Sequence, residues 1–295
     1  MSKSALLKSS IAKKYWMALT GLFLCIFLVG HLLGNLQLIL KAGEEGRIAF
    51  NEYAYFMAHN PMVKILSYLT YFSIIFHSVD GILLTIKNKR SRPQGYAKNN
   101  ANANSSSTSR NMAMLGSLIL VFIVMHMANF WYKAKIEKTN TPFPLHVYKI
   151  KQDKQFMEDS SMFYFTHNPS IQPIPRNNDV VTVKNDTELY HKGTNIMIGE
   201  GYKDLHSLVF SFFGQDKSIY GFPKNKNALY FTLFYVLSMI VLSFHLWHGF
   251  SSAFQSIGIN HSSYNSIIKF SGMLFAVLVP LGFAIIPIMI FLNQI

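Results

Sequence analysis

The sequence has 295 residues, of which 50% are hydrophobic and only 14% charged, about half the charged share of a soluble domain. Its 25 Phe and 15 Tyr exclude disorder, and 17 Gly with 10 Pro exclude collagen-like and low-complexity classes. The single cysteine, Cys25, excludes a disulfide framework, a cysteine zinc site and a cysteine-ligated iron–sulfur cluster.

Five stretches are long and apolar enough to cross a hydrocarbon core, which takes about 20 helical residues. The first is Tyr15–Leu40, too long and too plainly lacking a small-x-small cleavage site to be a signal peptide. Met62–Ile86 follows, and then a linker, 87–111, whose run Asn99–Ser109 is low-complexity and reads as flexible. Met112–Tyr132 is the third span. An insert, 133–226, separates it from Leu229–Phe254 and Ile267–Leu292. Pro280 and Pro287 in the fifth span are tolerable where neighbouring helices satisfy the freed carbonyls. The expected fold is an all-α membrane protein: a five-helix transmembrane bundle with a small extracytoplasmic insert between the third and fourth helices. Within the insert Asp179–Lys184 and Glu188–Ile198 are strand-like, and Lys203–Phe213 has an amphipathic helical pattern.

The net charge of +13 is distributed as a membrane protein distributes it, so no nucleic-acid partner is expected. Lys3, Lys8, Lys13 and Lys14 precede the first span. Lys87, Lys89, Arg90, Arg92, Lys98 and Arg110 lie between the second and third, with no acid among them. Between the first and second spans, Lys41, Arg47 and Lys64 are balanced by Glu44, Glu45 and Glu52. The positive-inside rule then places the N-terminus and the linker in the cytoplasm and the C-terminus outside. The insert carries about half of the 27 Lys and Arg residues. It is still expected outside, because long loops translocate largely regardless of charge.

Eleven histidines are present, and four of the apolar spans hold His31, His77, His126, and His245 with His248. Ionisable residues within a membrane are costly and by default functional. One such histidine is most simply a hydrogen-bonded packing residue, but four spans each bearing one need another account. At 1.5 Å per residue, His31, 17 positions after Lys14, and His126, 16 after Arg110, lie roughly 24–26 Å from the cytoplasmic edge. His77, 10 positions before Lys87, lies roughly 15 Å from that edge. His245, 16 positions past Leu229, lies roughly 24 Å from the opposite edge. His31 and His126 thus share an outer layer, and His77 and His245 an inner one.

Two histidines per layer on different helices suit a b-type haem held by one imidazole on each face. Gly30, Gly34, Gly81 and Gly249, close to these histidines in sequence, would admit a flat macrocycle or serve helix packing. Zinc or copper would need three or four ligands at one point, which two layers disfavour. A proton-relay transporter would want carboxylates, and Asp80 is the only one embedded in a span. His248, three positions after His245, is open between a ligand role in its place and a supporting role near a haem propionate.

Lys13-Lys14-Tyr15-Trp16-Met17-Ala18-Leu19-Thr20-Gly21-Leu22-Phe23, running on to Gly30-His31, resembles the first helix of the five-helix, di-haem cytochrome b subunits of succinate:quinone oxidoreductases. These are of the cytochrome b558 type, which also serves quinol:fumarate reductases. Phe244-His245-Leu246-Trp247-His248-Gly249-Phe250 through Gly258 is similar to the family's fourth helix. Phe50-Asn51-Glu52-Tyr53-Ala54, and Trp131 after His126, resemble the Bacteroidetes version. The resemblance covers all five spans. It implies that the ligand of the fourth helix stands four positions before the motif's glycine, which selects His245 over His248. It also implies a pairing of His77 with His245 around the inner haem and of His31 with His126 around the outer one. Relatives keep the third connection short, so Ile136–Glu200 is a departure from the family.

The resemblance further implies an electron-transfer anchor in the bacterial inner membrane, with the dicarboxylate site on a separate flavoprotein subunit. Electrons would reach the haems from an iron–sulfur subunit and pass on to a quinone, menaquinone by expectation. Arg90, Lys89 and Lys14 are candidate contacts for those subunits. Glu52 is the nearest match to a glutamate that serves quinone protonation in relatives, with Glu44 and Glu45 as rivals. Two other readings are a haem b subunit of a membrane hydrogenase or formate dehydrogenase, and a haem-free, histidine-containing transporter or assembly factor.

Overall fold

The computed structural model describes residues 9–41, 43–91, 94, 103, 105–136, 148–152, 155–159, 162–163, 174–175, 179, 181–185, 187–200, 202–214 and 225–292. Lys3, Lys8, Arg92, Lys98, much of the run Asn99–Ser109 and large parts of 133–226 lie outside the described residues.

The chain is an all-α, multi-pass membrane protein. Among the described residues five helices are long and apolar enough to cross a membrane: α1 (Ser10–Leu40), α3 (Pro61–Arg90), α5 (Met112–Lys135), α7 (Ala228–Ser256) and α8 (Ser262–Phe291). Each outruns its apolar window at one end or both, because a helix whose hydrogen bonds are internal continues into the headgroup region. So α3 runs on through Lys87, Lys89 and Arg90. Asn60 caps the start of α3, its Oδ1 accepting from the Met62 and Val63 amides at 2.9 and 3.3 Å. Helix α8 passes through both Pro280 and Pro287 without a break. Large apolar side chains stand outward along all five helices, among them Ile26, Ile65, Val121, Leu237 and Phe270. Such a surface suits hydrocarbon and not water.

Two compact units are recognised. The first comprises Met1–Gly34, Ile65–Ile123 and Tyr235–Ala284. Its core joins Cys25 of α1, Leu246 of α7 and Ala276 of α8, with Leu28, Leu242, Phe250 and Phe275 around them. Close approach depends on small residues. A Cβ at Gly272 would fall 2.8 Å from the Phe250 ring, and one at Gly282 would fall 2.9 Å from Leu32.

The second unit comprises Asn35–Lys64, Val124–Phe234 and Ile285–Ile295. It contains a helix where the hydropathy reading expects only a loop: α2, Gly43–His59. The buried face of α2 sets Arg47 and Asn51, 2% and 1% exposed, beside Phe50, so no apolar window marks it. Short strands follow in the insert. The pairs β1 (Tyr148–Gln152) with β2 (Gln155–Asp159), and β3 (Met162–Phe163) with β4 (Ile174–Pro175), are antiparallel. A three-stranded antiparallel meander is formed by β5 (Val181–Lys184), β6 (Glu188–His191) and β7 (Met197–Glu200). The strand-like stretch at Glu188–Ile198 is thus two strands, split at the turn through Lys192–Asn195, where Asn195 takes a positive φ of 52°.

Helix α6 (Leu205–Phe213) matches the amphipathic pattern at the end of the insert. Its N-cap Asp204 accepts from the Ser207 amide at 2.9 Å and from the Ser207 hydroxyl at 2.8 Å. The same carboxylate binds α2, through Arg47 Nη1 at 2.9 Å and Asn51 Nδ2 at 2.9 Å. Asn51 Oδ1 in turn accepts from the His206 amide at 3.0 Å. With Asp204 fully buried, this is a closed, low-dielectric network. Removing one charge leaves the other stranded, which costs roughly 3–5 kcal/mol. Arg47→Met is therefore expected to lower the thermal unfolding temperature of the detergent-solubilised chain by several degrees. Arg47→Met with Asp204→Asn, which keeps the acceptor for Ser207 and removes the stranded charge, is expected to regain part of that loss; equal loss in both would refute a charge-based clasp.

Candidate functional site in the membrane-spanning helices

Helices α3 and α7 bring His77 and His245 together in the first unit, their ring centroids 6.2 Å apart and their planes at 67°. His77 is fastened from its far side by α1. Its Nδ1 lies 3.1 Å from the Met17 carbonyl oxygen and 3.4 Å from the Thr20 hydroxyl. Because a carbonyl only accepts, Nδ1 carries the proton and donates, and Nε2 keeps its lone pair. This is the arrangement that metal-bound histidines use to hold tautomer and ring orientation. His245 Nδ1 is buried and has no hydrogen-bond partner among the described residues.

Two glycines flank this pair. A Cβ at Gly21 of α1 would fall 3.1 Å from His77 Cε1, and one at Gly116 of α5 would fall 3.6 Å from His245 Cε1. These are not the glycines that sequence proximity singles out. Gly249 faces Met112 instead, and Gly30 and Gly81 have nothing within 4 Å among the described residues, so space lies open at both. The helical repeat explains the difference, since a side chain meets the neighbouring helix and not its own chain neighbours.

His31 of α1 stacks on Phe27 at 5.3 Å and lies 5.6 Å from Phe283 of α8. His248 is half-buried, one turn beyond His245 on α7. In the second unit His126 packs on Phe130 at 5.4 Å. The five residues after His126, Met127–Trp131, form a π-helical turn inside α5, a local irregularity common at functional positions. Phe130 continues into an aromatic cluster with Phe212 and Phe213 of α6, at 5.0 and 6.0 Å, and Phe212 reaches Phe231 of α7 at 4.6 Å. Helix α6 is tied to the end of α5 by Lys203 Nζ, which donates to the Ala134 carbonyl at 3.0 Å.

The donor set fits a haem at His77 and His245. Two imidazoles bonded to opposite faces of one metal at about 2 Å place their centroids roughly 6 Å apart. One ring's outer N–H is engaged, as such a ligand requires, and the other ring carries a buried nitrogen with no hydrogen-bond partner among the described residues. Among the described residues no three His, Cys, Asp or Glu side chains converge into a cation cage. A two-imidazole site therefore suits a metal that brings its own equatorial ligands.

The carboxylates proposed for proton transfer sit on or beside α2. Glu52 is half-buried, next to Asn51 in the chain. Glu44 lies in the first turn of α2. Glu45 is exposed and pairs with Lys41 at 3.7 Å. Sequence reasoning passes over His206, which the α2–α6 contact buries to 7% exposure. It stacks on Phe210 at 4.1 Å and meets Phe50 edge-on at 6.1 Å. Its only sequence signal is the capping pattern Asp204-x-x-Ser207 ahead of an apolar run.

Set against protein families, curated proteins and solved structures, the chain matches none of them.

Burial pushes the His206 imidazole down to about 4 from its ordinary 6.5, with the Asp204 carboxylate opposing and the Arg47 guanidinium assisting. An unfolded chain therefore takes up a proton between those values that the folded chain refuses. The stabilisation is complete above pH 6.5 and falls by about 1.4 kcal/mol per pH unit as acid approaches pH 4. Thermal unfolding followed from pH 7 to pH 4 is expected to fall less steeply for His206→Phe than for the wild type. Parallel curves would show that His206 titrates normally.

Proposed function

We propose that this chain is the membrane-anchoring, di-haem cytochrome b subunit of a succinate:quinone oxidoreductase. The observation that carries the reading is the His77–His245 pair, 6.2 Å between rings, with His77 Nδ1 committed to the Met17 carbonyl. His77 and His245 would hold the inner haem. His31 and His126, whose depths agree by the helical rise, would hold the outer one. Bound there, the two haems would supply a one-electron relay between an iron–sulfur subunit and a quinone, menaquinone in this reading.

The chain's own work is to bind, orient and exclude water. Met17 holds one ligand ring at a fixed angle. Lipid-facing side chains such as Ile26 and Ile75 keep the helices in hydrocarbon, where uncompensated charge is costly. The chain would not touch the dicarboxylate, which belongs to the flavoprotein subunit. Glu52 on α2 is the candidate carrier of the protons that quinone reduction consumes, and His248 a supporting group beside the inner haem. Lys14, Lys89 and Arg90 would face the two soluble subunits on the cytoplasmic side of a bacterial inner membrane.

Potentiometric titration of histidine variants tests the pairing. His77→Ala and His245→Ala are expected to lose one and the same haem component, and His31→Ala and His126→Ala the other. His248→Ala is expected to keep both. Loss of the inner component in His248→Ala with retention in His245→Ala would move the ligand on α7.

Orientation is tested by cysteine labelling in a Cys25→Ser background. Thr194→Cys, exposed in the turn before β7, is expected to react with an impermeant maleimide in intact spheroplasts. Ser106→Cys, at the start of the short helix α4 (Ser107–Arg110), is expected to react only after the membrane is opened. The opposite pattern would invert the topology and exchange the two haem layers between faces.

A further inference from the structure

Thr20 is 6% exposed on α1, a helix that also buries Ala18 and Cys25, and its hydroxyl does more than satisfy itself. It donates to the Trp16 carbonyl at 2.8 Å, the usual solution for a buried threonine one turn on. It also lies 3.2 Å from the Met17 carbonyl oxygen and 3.4 Å from His77 Nδ1. With its proton directed to Trp16, the hydroxyl turns a lone pair toward the imidazole N–H. The His77 N–H thus faces two acceptors on α1, the Met17 carbonyl and the Thr20 oxygen. Gly21, the next residue, leaves the space that lets the ring approach this edge of α1.

We propose that Thr20 is a positioning residue: together with the Met17 carbonyl it fixes the orientation of His77 and tunes the reduction potential of the haem that His77 would hold. The inference rests on the haem reading of the His77–His245 pair. An acceptor on the outer N–H strengthens the donor power of the opposite nitrogen. A stronger imidazole donor favours the more positively charged, oxidised iron, so it holds the potential down. Removing one of the two acceptors therefore raises it. Substituting valine keeps the shape and deletes only the hydroxyl.

The test uses the purified full-length wild type and Thr20→Val, Thr20→Ala and Thr20→Ser, each titrated potentiometrically with its low-spin ferric EPR signal recorded. In Thr20→Val one haem component is expected to shift upward, its one-electron equilibrium changing about three- to tenfold, where tenfold is about 59 mV. Its highest g-value is expected to move as well, while the other component keeps both properties. Thr20→Ala is expected to behave like Thr20→Val should valine disturb the helix contact, and Thr20→Ser to restore the wild-type values. Thr85→Val is the control, because that hydroxyl also donates to the carbonyl one turn back, Gly81 at 2.8 Å, but on the exposed part of α3. A wild type carrying haem whose potentials and g-values survive Thr20→Val and Thr20→Ala would overturn the role of Thr20 alone. Equal shifts of both components, or a shift in Thr85→Val as large as that in Thr20→Val, would overturn it too. A wild type with no haem would overturn the haem reading together with it.

Discussion

An imidazole placed among hydrocarbon must give its N–H to an acceptor, and His77 gives it to the Met17 carbonyl, 3.1 Å away. That carbonyl already closes a turn of α1, and its second lone pair is what makes the bond available. The consequence is a ring clamped between two helices, with one nitrogen committed and the other presented. His245 stands opposite on α7, and Gly21 and Gly116 supply the clearance on either side. A pair of this kind can take a metal only if something else fills the equatorial plane.

The second unit meets the same requirement with charge. Arg47 of α2 and Asp204 ahead of α6 are nearly sealed from solvent, and every oxygen of the carboxylate is bonded. Such a pair contributes specificity of placement more than net stability. It holds α6 so that Phe212 and Phe213 reach Phe130, the aromatic partner of His126. The last part of the insert is therefore built into the aromatic surroundings of a candidate ligand.

Much of this was legible from the residues alone, and what was not has physical causes. The five spans follow from apolar runs, and only their ends extend further, as at Lys87–Arg90, because helical hydrogen bonding does not stop where hydropathy falls. The juxtaposition of His77 with His245 follows from the rise per residue on two helices that both run inward, which sets the two histidines in one layer. Helix α2 is hidden because two of its inward residues, Arg47 and Asn51, are polar and find their partners some 150 positions away. The Met17 acceptor was hidden because a carbonyl belongs to every residue and carries no side-chain signature. Gly21 and Gly116, which approach the two imidazoles, carry no sequence signal because they lie on the facing helices and not beside the histidines in the chain. His206 was passed over because no apolar span surrounds it.

The central claim is that paired imidazoles in these helices bind haem, and its most direct test is a pyridine haemochrome assay on the purified full-length chain set against protein concentration. The account predicts two b-type haems per chain. One haem would remove the second layer and the path across the membrane, and none would contradict the account at its base.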